Sequence, residues 1–366
     1  MIPINDLSRS SDLDSNFFAG LKELIDSGQF INGKYTNFFE ESLKNLIGTD
    51  FAIGVSSGTA ALDLALNALD LPEGSGVLLA ANAGGYARIA IEQNNLIPIY
   101  VDVDDNGLIG IQELKNSKFN TSVPARAIVV TYLYGQCRNL IEVKRFADEN
   151  KLVLIEDCAQ SIGAKSAGIN AGSVGEISTF SFYPTKNLGA IGDAGAILTS
   201  NPSLAKKIKS LKQYGWDAKY NVAIKNGDNQ RIDEIQAFAL NWRISELENK
   251  TLIRKTVWGK FNSSAAKSGL RMIGEFDDSF VAHLGIIDCF GRREVVKEFL
   301  NNAGVSTDVH YPIPDHKQIA WLEDNIHLPE TERQARDFLT IPLFVELSPN
   351  EISQICTALE GLAKIL

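Results

Sequence analysis

The feature that most constrains this chain is a recurring order. A short, nearly unbroken apolar run is followed by an amphipathic stretch, then by another apolar run. The runs at 97–101 (IPIYV), 127–133 (AIVVTYL), 152–156 (LVLIE) and 178–182 (STFSF) have the length and β-branched content of strands. Residues 59–69 (TAALDLALNAL) and 141–150 read as helices. Strands that are apolar on both faces must be covered on both faces. Strand–helix–strand order satisfies that with a mostly parallel sheet between two helical layers, an α/β fold. After about residue 245 the pattern changes. A long helical segment over 232–262 leads to weaker strands near 280–288, a helix near 293–303 and a last helix from 349. The expectation is a large domain over 1–245 and a smaller C-terminal α+β domain over 246–366.

Composition narrows the function. The formal net charge of −10 speaks against nucleic acid as a partner, which needs a basic face to neutralise phosphates. The cysteines, Cys137, Cys158, Cys289 and Cys356, form no C-x-x-C pair, so a disulfide framework or zinc ribbon is not expected. No run of 18 apolar residues and no secretory leader is present, which predicts a cytoplasmic protein with no membrane partner.

Three local signals carry chemistry. Ser56-Ser57-Gly58-Thr59 opens the 59–69 helix, where free backbone N–H groups and the positive dipole end suit a phosphate. Gly58 permits close approach, and Ser57 and Thr59 add hydroxyl donors; an ordinary Ser/Thr cap explains the same residues without a ligand. Glu156-Asp157-Cys158-Ala159-Gln160 follows an apolar strand directly, where ligands of α/β sheets gather, although Asp157 also reads as a helix cap. In STFSFYPTKNLGAIGDAG, strand alternation puts Ser181 opposite Phe180 and Phe182, and Lys186 follows Pro184 amid glycines. A desolvated lysine becomes a nucleophilic amine, whereas most loop lysines are simply solvated. A phosphate cradle, an acid after a strand and a loop lysine are together the parts of a pyridoxal 5'-phosphate site.

The segments SSGTAAL, IEDCAQSIGA, FSFYPTKNLGAIGDAG, LKQYGWDAKY, GDNQRIDEIQA and VHYPIPDH, in this order, resemble the successive motifs of the DegT/DnrJ/StrS family of sugar aminotransferases. The resemblance runs from FINGK at 30–34 to IPLFVELSPNEI at 341–352. It implies the fold of the type I, aspartate-aminotransferase-like pyridoxal-phosphate transferases. It implies transfer of an amino group from an amino acid, glutamate in the family pattern, to a nucleotide-linked keto-sugar, with a dTDP-3-keto-6-deoxyhexose as the specific lead. Residue by residue, Lys186 matches the Schiff-base lysine and Asp157 the partner of the pyridine nitrogen. Gln160 matches a glutamine beside the ring oxygen, and Gly58, Thr59 and Ser181 match phosphate positions. Asn229 matches an asparagine that reaches the cofactor phosphate of a neighbouring subunit, which implies a homodimer with shared sites. His310, Tyr311 and His316 match a stretch near the sugar, Tyr183 is a further substrate candidate, and His283 reads as structural. Where many members carry a proline and an aromatic, this chain has Ala80-Ala81-Asn82-Ala83-Gly84-Gly85-Tyr86, so Tyr86 is the expected ring-stacking residue. Two rival readings are a metal-dependent glycosyltransferase using Asp102 and Asp104 as a D-x-D site, and a non-catalytic sugar-binding or regulatory relative. Lys186 weighs against the second. No metal is expected in the favoured reading.

Overall fold

Five strands run parallel and side by side, and two more extend them into one seven-stranded sheet. In spatial order these are Phe51–Val55, Gly195–Thr199, Ile177–Ser181, Val153–Asp157, Ala125–Thr131, Gly76–Leu79 and Ile97–Tyr100. Gly195–Thr199 is antiparallel to both of its neighbours; the other pairings are parallel. The computed structural model describes residues 1–10, 13–117, 123–323 and 325–366.

Successive residues of a strand point to opposite faces, and here both faces are apolar. Leu78, Ile128, Val130 and Leu154 project into one core, with Phe39, Leu43 and Ile47 of helix Lys34–Ile47 and with Leu140, Val143 and Phe146 of helix Leu140–Glu149. Val77, Leu79, Val129 and Ile155 project into the other, under helices Gly58–Ala68, Tyr86–Gln93 and Pro202–Leu211. The near-continuous apolar runs in the sequence are the direct record of this double burial.

The segment expected to be one long helix is two, Glu234–Ile244 and Leu247–Ala266. At the break, the N–H of Glu246 donates to the carbonyl of Arg243, a tighter i−3 bond that interrupts the helical ladder. Beyond it, Arg271–Met272, Gly285–Asp288 and Phe338–Ile341 form an antiparallel three-stranded sheet. Trp258, Phe261, Ile287, Leu300, Leu339 and Leu359 make a second apolar core there. The division is not clean along the chain. Ile2 packs into this second core and its N–H donates to Gly304, while Leu247 and Val281 pack into the first.

Glu234 joins two distant motifs. Its buried carboxylate accepts from the N–H groups of Gly33, Tyr35 and Thr36, each at 2.9 Å, and from the Thr36 hydroxyl. It therefore caps helix Lys34–Ile47 from 198 residues away and fixes FINGK against GDNQRIDEIQA. Glu234→Ala leaves these donors buried without a partner, a loss on the order of 3 kcal/mol. Urea denaturation at fixed protein concentration should show it; a midpoint shift near zero contradicts the capping role.

Candidate active site

The carboxyl ends of three adjacent strands, Ala125–Thr131, Val153–Asp157 and Ile177–Ser181, converge on a cavity of about 360 Å³. Thr131 and Asp157 are register partners, and so are Asp157 and Thr179. Strand alternation separates the two acids of the Glu156-Asp157 pair. Glu156 is buried on the far side, where it accepts from the N–H groups of Gly172, Val174 and Gly175 and from the Tyr132 hydroxyl. Asp157 lines the cavity and is 6% exposed. One of its oxygens accepts from the Ala159 N–H at 3.1 Å and the other from the Thr131 hydroxyl at 3.0 Å. Burial pushes its pKa up; those two bonds and the charge of Lys186 pull it down.

Lys186 enters from a tight turn after the Ile177–Ser181 strand. Its N–H donates to the carbonyl of Tyr183, and Phe182 pairs with both Ala190 and Ala194. The turn packs so closely that a Cβ on Gly189 would fall 2.4 Å from the Pro184 carbonyl oxygen. Asn187 donates to the Val281 carbonyl at 2.7 Å and its amide oxygen meets His283 Nδ1 at 3.1 Å, which ties the turn to the second lobe. Burial of the Lys186 amine lowers its pKa to about 8, against the opposing pull of Asp157. This is the desolvated amine the sequence predicts.

The third wall is the start of helix Gly58–Ala68. Ser57 is its N-cap, with Oγ accepting from the Ala60 N–H at 3.1 Å, so the capping reading of Ser57 holds. Ser57, Gly58 and Thr59 nevertheless line the cavity together with Ser181. A Cβ on Gly58 would lie 2.6 Å from the Ser181 Cβ, and one on Gly195 only 2.3 Å from the Ser57 carbonyl oxygen. These glycines serve close packing of the helix start against the strands.

Gln160 closes the floor: its Oε1 accepts from the Tyr134 N–H at 2.7 Å and its Nε2 donates to the Tyr311 hydroxyl at 3.2 Å. Tyr86, Tyr183, His310 and Tyr311 also line the cavity. Among the lining residues that the motifs did not single out, four are polar: Thr131, Thr185, Asp193 and His283; Thr131 is the one polar side chain with a hydroxyl amid the aliphatic 127–131 run. His283, read as structural, sits just before the Gly285–Asp288 strand and faces the cavity. Burial first, then Lys186, Arg254 and His310, depress its pKa well below that of a free imidazole.

Two predicted residues lie elsewhere. His316 is not among the lining residues; it is fully buried against Glu332, at 3.1 Å, and near the Tyr100 ring. The 3-10 turn Asp315–Lys317 points it away from the cavity that His310 and Tyr311 reach. Asn229 is exposed, on the edge beside Gln213, and outside this chain's cavity. The D-x-D pair is also otherwise engaged. Asp102 accepts from the N–H groups of Glu330 and Thr331 and from the Thr331 hydroxyl, capping helix Pro329–Asp337, which has no side-chain cap of its own. Asp104 accepts from Asn106 and Leu108 in a turn. Among the described residues no group of three or more His, Cys, Asp or Glu is placed to hold a metal ion, and no helix is long and apolar enough to cross a membrane.

A buried amine, a buried carboxylate and a helix N-terminus around one cavity, at the carboxyl ends of this sheet, define a pyridoxal-phosphate transferase of fold type I. Residues 11–360 match the model of the DegT/DnrJ/EryC1/StrS aminotransferase family, and the chain belongs to that family. It is similar to a dTDP-3-amino-3,4,6-trideoxy-alpha-D-glucose transaminase of Micromonospora megalomicea subsp. nigra, 30% identical over 335 residues that cover 89% of each chain. It is also similar to a UDP-N-acetyl-3-dehydro-alpha-D-glucosamine 3-aminotransferase of Acidithiobacillus ferrooxidans, 31% identical over 367 residues, covering 98% of this chain and 97% of that one. Among solved structures it superimposes on S. venezuelae DesV in complex with a ketimine intermediate, with a TM-score of 0.93 and 29% identity, over 99% of this chain and 98% of that one. The protein is a pyridoxal-phosphate-dependent aminotransferase. The cavity's donor set fits that cofactor: hydroxyls and a glycine-opened helix start for a phosphate, an amine that can be neutral, and a carboxylate held by hydrogen bonds.

Asp102 supplies a second test of the fold around this site. Asp102→Ala should lower stability by about 1–2 kcal/mol through loss of the helix cap, and leave the response of turnover to EDTA unchanged. Thermal denaturation and an EDTA titration of the variant and parent check both; chelator-sensitive turnover that disappears in the variant contradicts the capping role.

Proposed function

We propose that the chain moves an amino group from an amino-acid donor, glutamate in our reading, to a nucleotide-linked keto-sugar, and that Lys186 carries the cofactor. The observation that carries this reading is the Lys186 amine, shifted to about 8 by burial, beside the buried carboxylate of Asp157. Pyridoxal phosphate, when bound, supplies an electrophilic carbon and a ring that accepts an electron pair from the donor's α-carbon. The chain's own residues do the rest. The N–H groups at Gly58 and Thr59, with the hydroxyls of Ser57, Thr59 and Ser181, hold the phosphate. A charged Asp157 would keep the ring nitrogen protonated, and Gln160 would meet the ring oxygen. The neutral Lys186 amine would take a proton from the donor's α-carbon as base and, as acid, give it to the carbon the cofactor supplies. Tyr183 and His310 face the sugar. In this reading residues 1–245 form the cofactor-binding domain and 246–366 the smaller one.

The substrate reading draws on the relatives, both named for amination at carbon 3 of a nucleotide-linked sugar. We extend that to this chain as a 3-keto-sugar, with a dTDP-3-keto-6-deoxyhexose as the first substrate to assay.

Borohydride reduction of the holoenzyme, followed by peptide mapping, should place the pyridoxyl group on Lys186; a label on another lysine sinks the assignment. Only the neutral amine attacks the cofactor's aldehyde. The rate of covalent uptake by the apoprotein, followed by absorbance, should therefore rise with pH and level off above about 8. A rate still climbing steeply past 10 contradicts a desolvated amine.

Asn229 is the shared-site candidate, since it is exposed and outside its own cavity. If it completes the partner's phosphate site in a homodimer, Asn229→Ala weakens cofactor retention, because a hydrogen bond to a charged group is worth about 1.5–3 kcal/mol. Mixing Lys186→Ala subunits with Asn229→Ala subunits should then restore activity, as one site of each heterodimer carries neither defect. Confirmed subunit exchange without recovery rules sharing out.

A further inference from the structure

The loop before helix Tyr86–Gln93 carries two consecutive glycines in the left-handed region, Gly84 at φ 79° and Gly85 at φ 81°. The glycines do more than turn the chain. A Cβ on Gly84 would sit 3.0 Å from Tyr311 Cε1, and one on Gly85 would sit 3.0 Å from Trp321 Cζ3. The segment around residues 310–321 therefore lies directly on this loop. Three contacts hold it there. The Asp315 N–H donates to the Ala81 carbonyl at 2.8 Å, the Tyr134 hydroxyl donates to the His310 carbonyl at 2.8 Å, and the Arg88 guanidinium lies 4.8 Å from the Trp321 ring centroid.

The consequence falls on Tyr311. Its hydroxyl accepts from Gln160 Nε2, and the Gln160 amide is oriented by the Tyr134 N–H on its oxygen. Burial raises the phenol's pKa, as do Tyr86 and Asp157, which places the hydroxyl within the field of the Asp157 carboxylate. Tyr86, by contrast, is 48% exposed and meets Tyr311 edge-on, with ring centroids 6.5 Å apart and planes at 79°.

Resting on the reading of this cavity as the cofactor site, we propose that Tyr311, and not Tyr86, is the aromatic residue that packs against the cofactor ring. Gly84 is then the residue whose missing side chain admits it. A flat, buried ring held by an oriented hydrogen bond is a better wall than a half-exposed one, because less freedom is lost on binding. Tyr86 stands at the mouth, against the edge of Tyr311.

The test uses full-length apoenzyme and pyridoxamine 5'-phosphate, which binds without a covalent link to Lys186. Equilibrium dialysis gives its Kd for each variant. Tyr311→Ala should weaken binding tenfold or more, Tyr311→Phe about threefold or less, and Tyr86→Ala less than threefold. Tyr311→Leu, which keeps apolar bulk, replaces Tyr311→Ala if the latter fails to fold. A Tyr86→Ala loss as large as that of Tyr311→Ala, or a Tyr311→Ala loss below threefold, overturns the proposal. Borohydride labelling of the parent separates this failure from the larger one. If Lys186 is labelled and Tyr311 is dispensable, only the Tyr311 assignment falls; if Lys186 is never labelled, the cavity reading itself falls.

Discussion

Everything in this protein is arranged around an amine and a carboxylate that share one cavity away from bulk water. Desolvation drives both toward their neutral forms: Lys186 down to about 8, Asp157 upward from the ordinary carboxylate range. The chain answers on the Asp157 side with a hydroxyl, a backbone N–H and the lysine's own charge. The result is a carboxylate whose pKa burial still raises, against the pull of those partners, next to an amine that gives up its proton readily. The sheet makes this possible. Parallel strands end together, so Thr131 and Asp157 arrive side by side in register, and the next element delivers Lys186 to the same rim.

The supporting structure is mostly about keeping that rim rigid. Glu156, one residue before Asp157, points the other way and binds three consecutive-turn N–H groups, so the strand end is braced from behind. Gly58 and Gly195 let the helix start, Ser181 and the returning strand approach to distances that no side chain permits. The second lobe adds its own anchors. Asn187 reaches the Val281 carbonyl and His283, and the segment around Tyr311 lies on the double-glycine loop. The site is thus built where two apolar cores meet.

Much of this was legible in the residues. The long apolar runs predicted the central strands because burial on both faces leaves no polar positions to blur them. The strands Phe51–Val55 and Gly76–Leu79 escaped because each carries a glycine, and Gly195–Thr199 because it follows a glycine-rich turn with no helix before it. Lys186, Asp157, Ser57, Gly58, Thr59, Ser181 and Gln160 were signalled by motif and do line one cavity. His283 gave no local signal: its place depends on Asn187, 96 residues earlier, and on the packing of one lobe against the other. His316 failed for the opposite reason. Its motif lies beside the cavity, but a single 3-10 turn carries its ring into the interior against Glu332. The D-x-D acids show the same limit, since only the fold reveals that Asp102 caps a helix 228 residues away.

We propose that Asp157 acts electronically, through its charge, and not merely as a piece of the wall. Asp157→Asn keeps the shape and the bond from the Ala159 N–H, donates to the Thr131 oxygen where the carboxylate accepted from it, and removes the charge. The direct measurement is a single-turnover half-reaction: holoenzyme mixed with glutamate in the absence of sugar, with conversion of the cofactor to its amino form followed by absorbance. The variant should still carry the cofactor on Lys186 yet convert it at least a hundredfold more slowly than the parent. Conversion within a few-fold of the parent rate would contradict it.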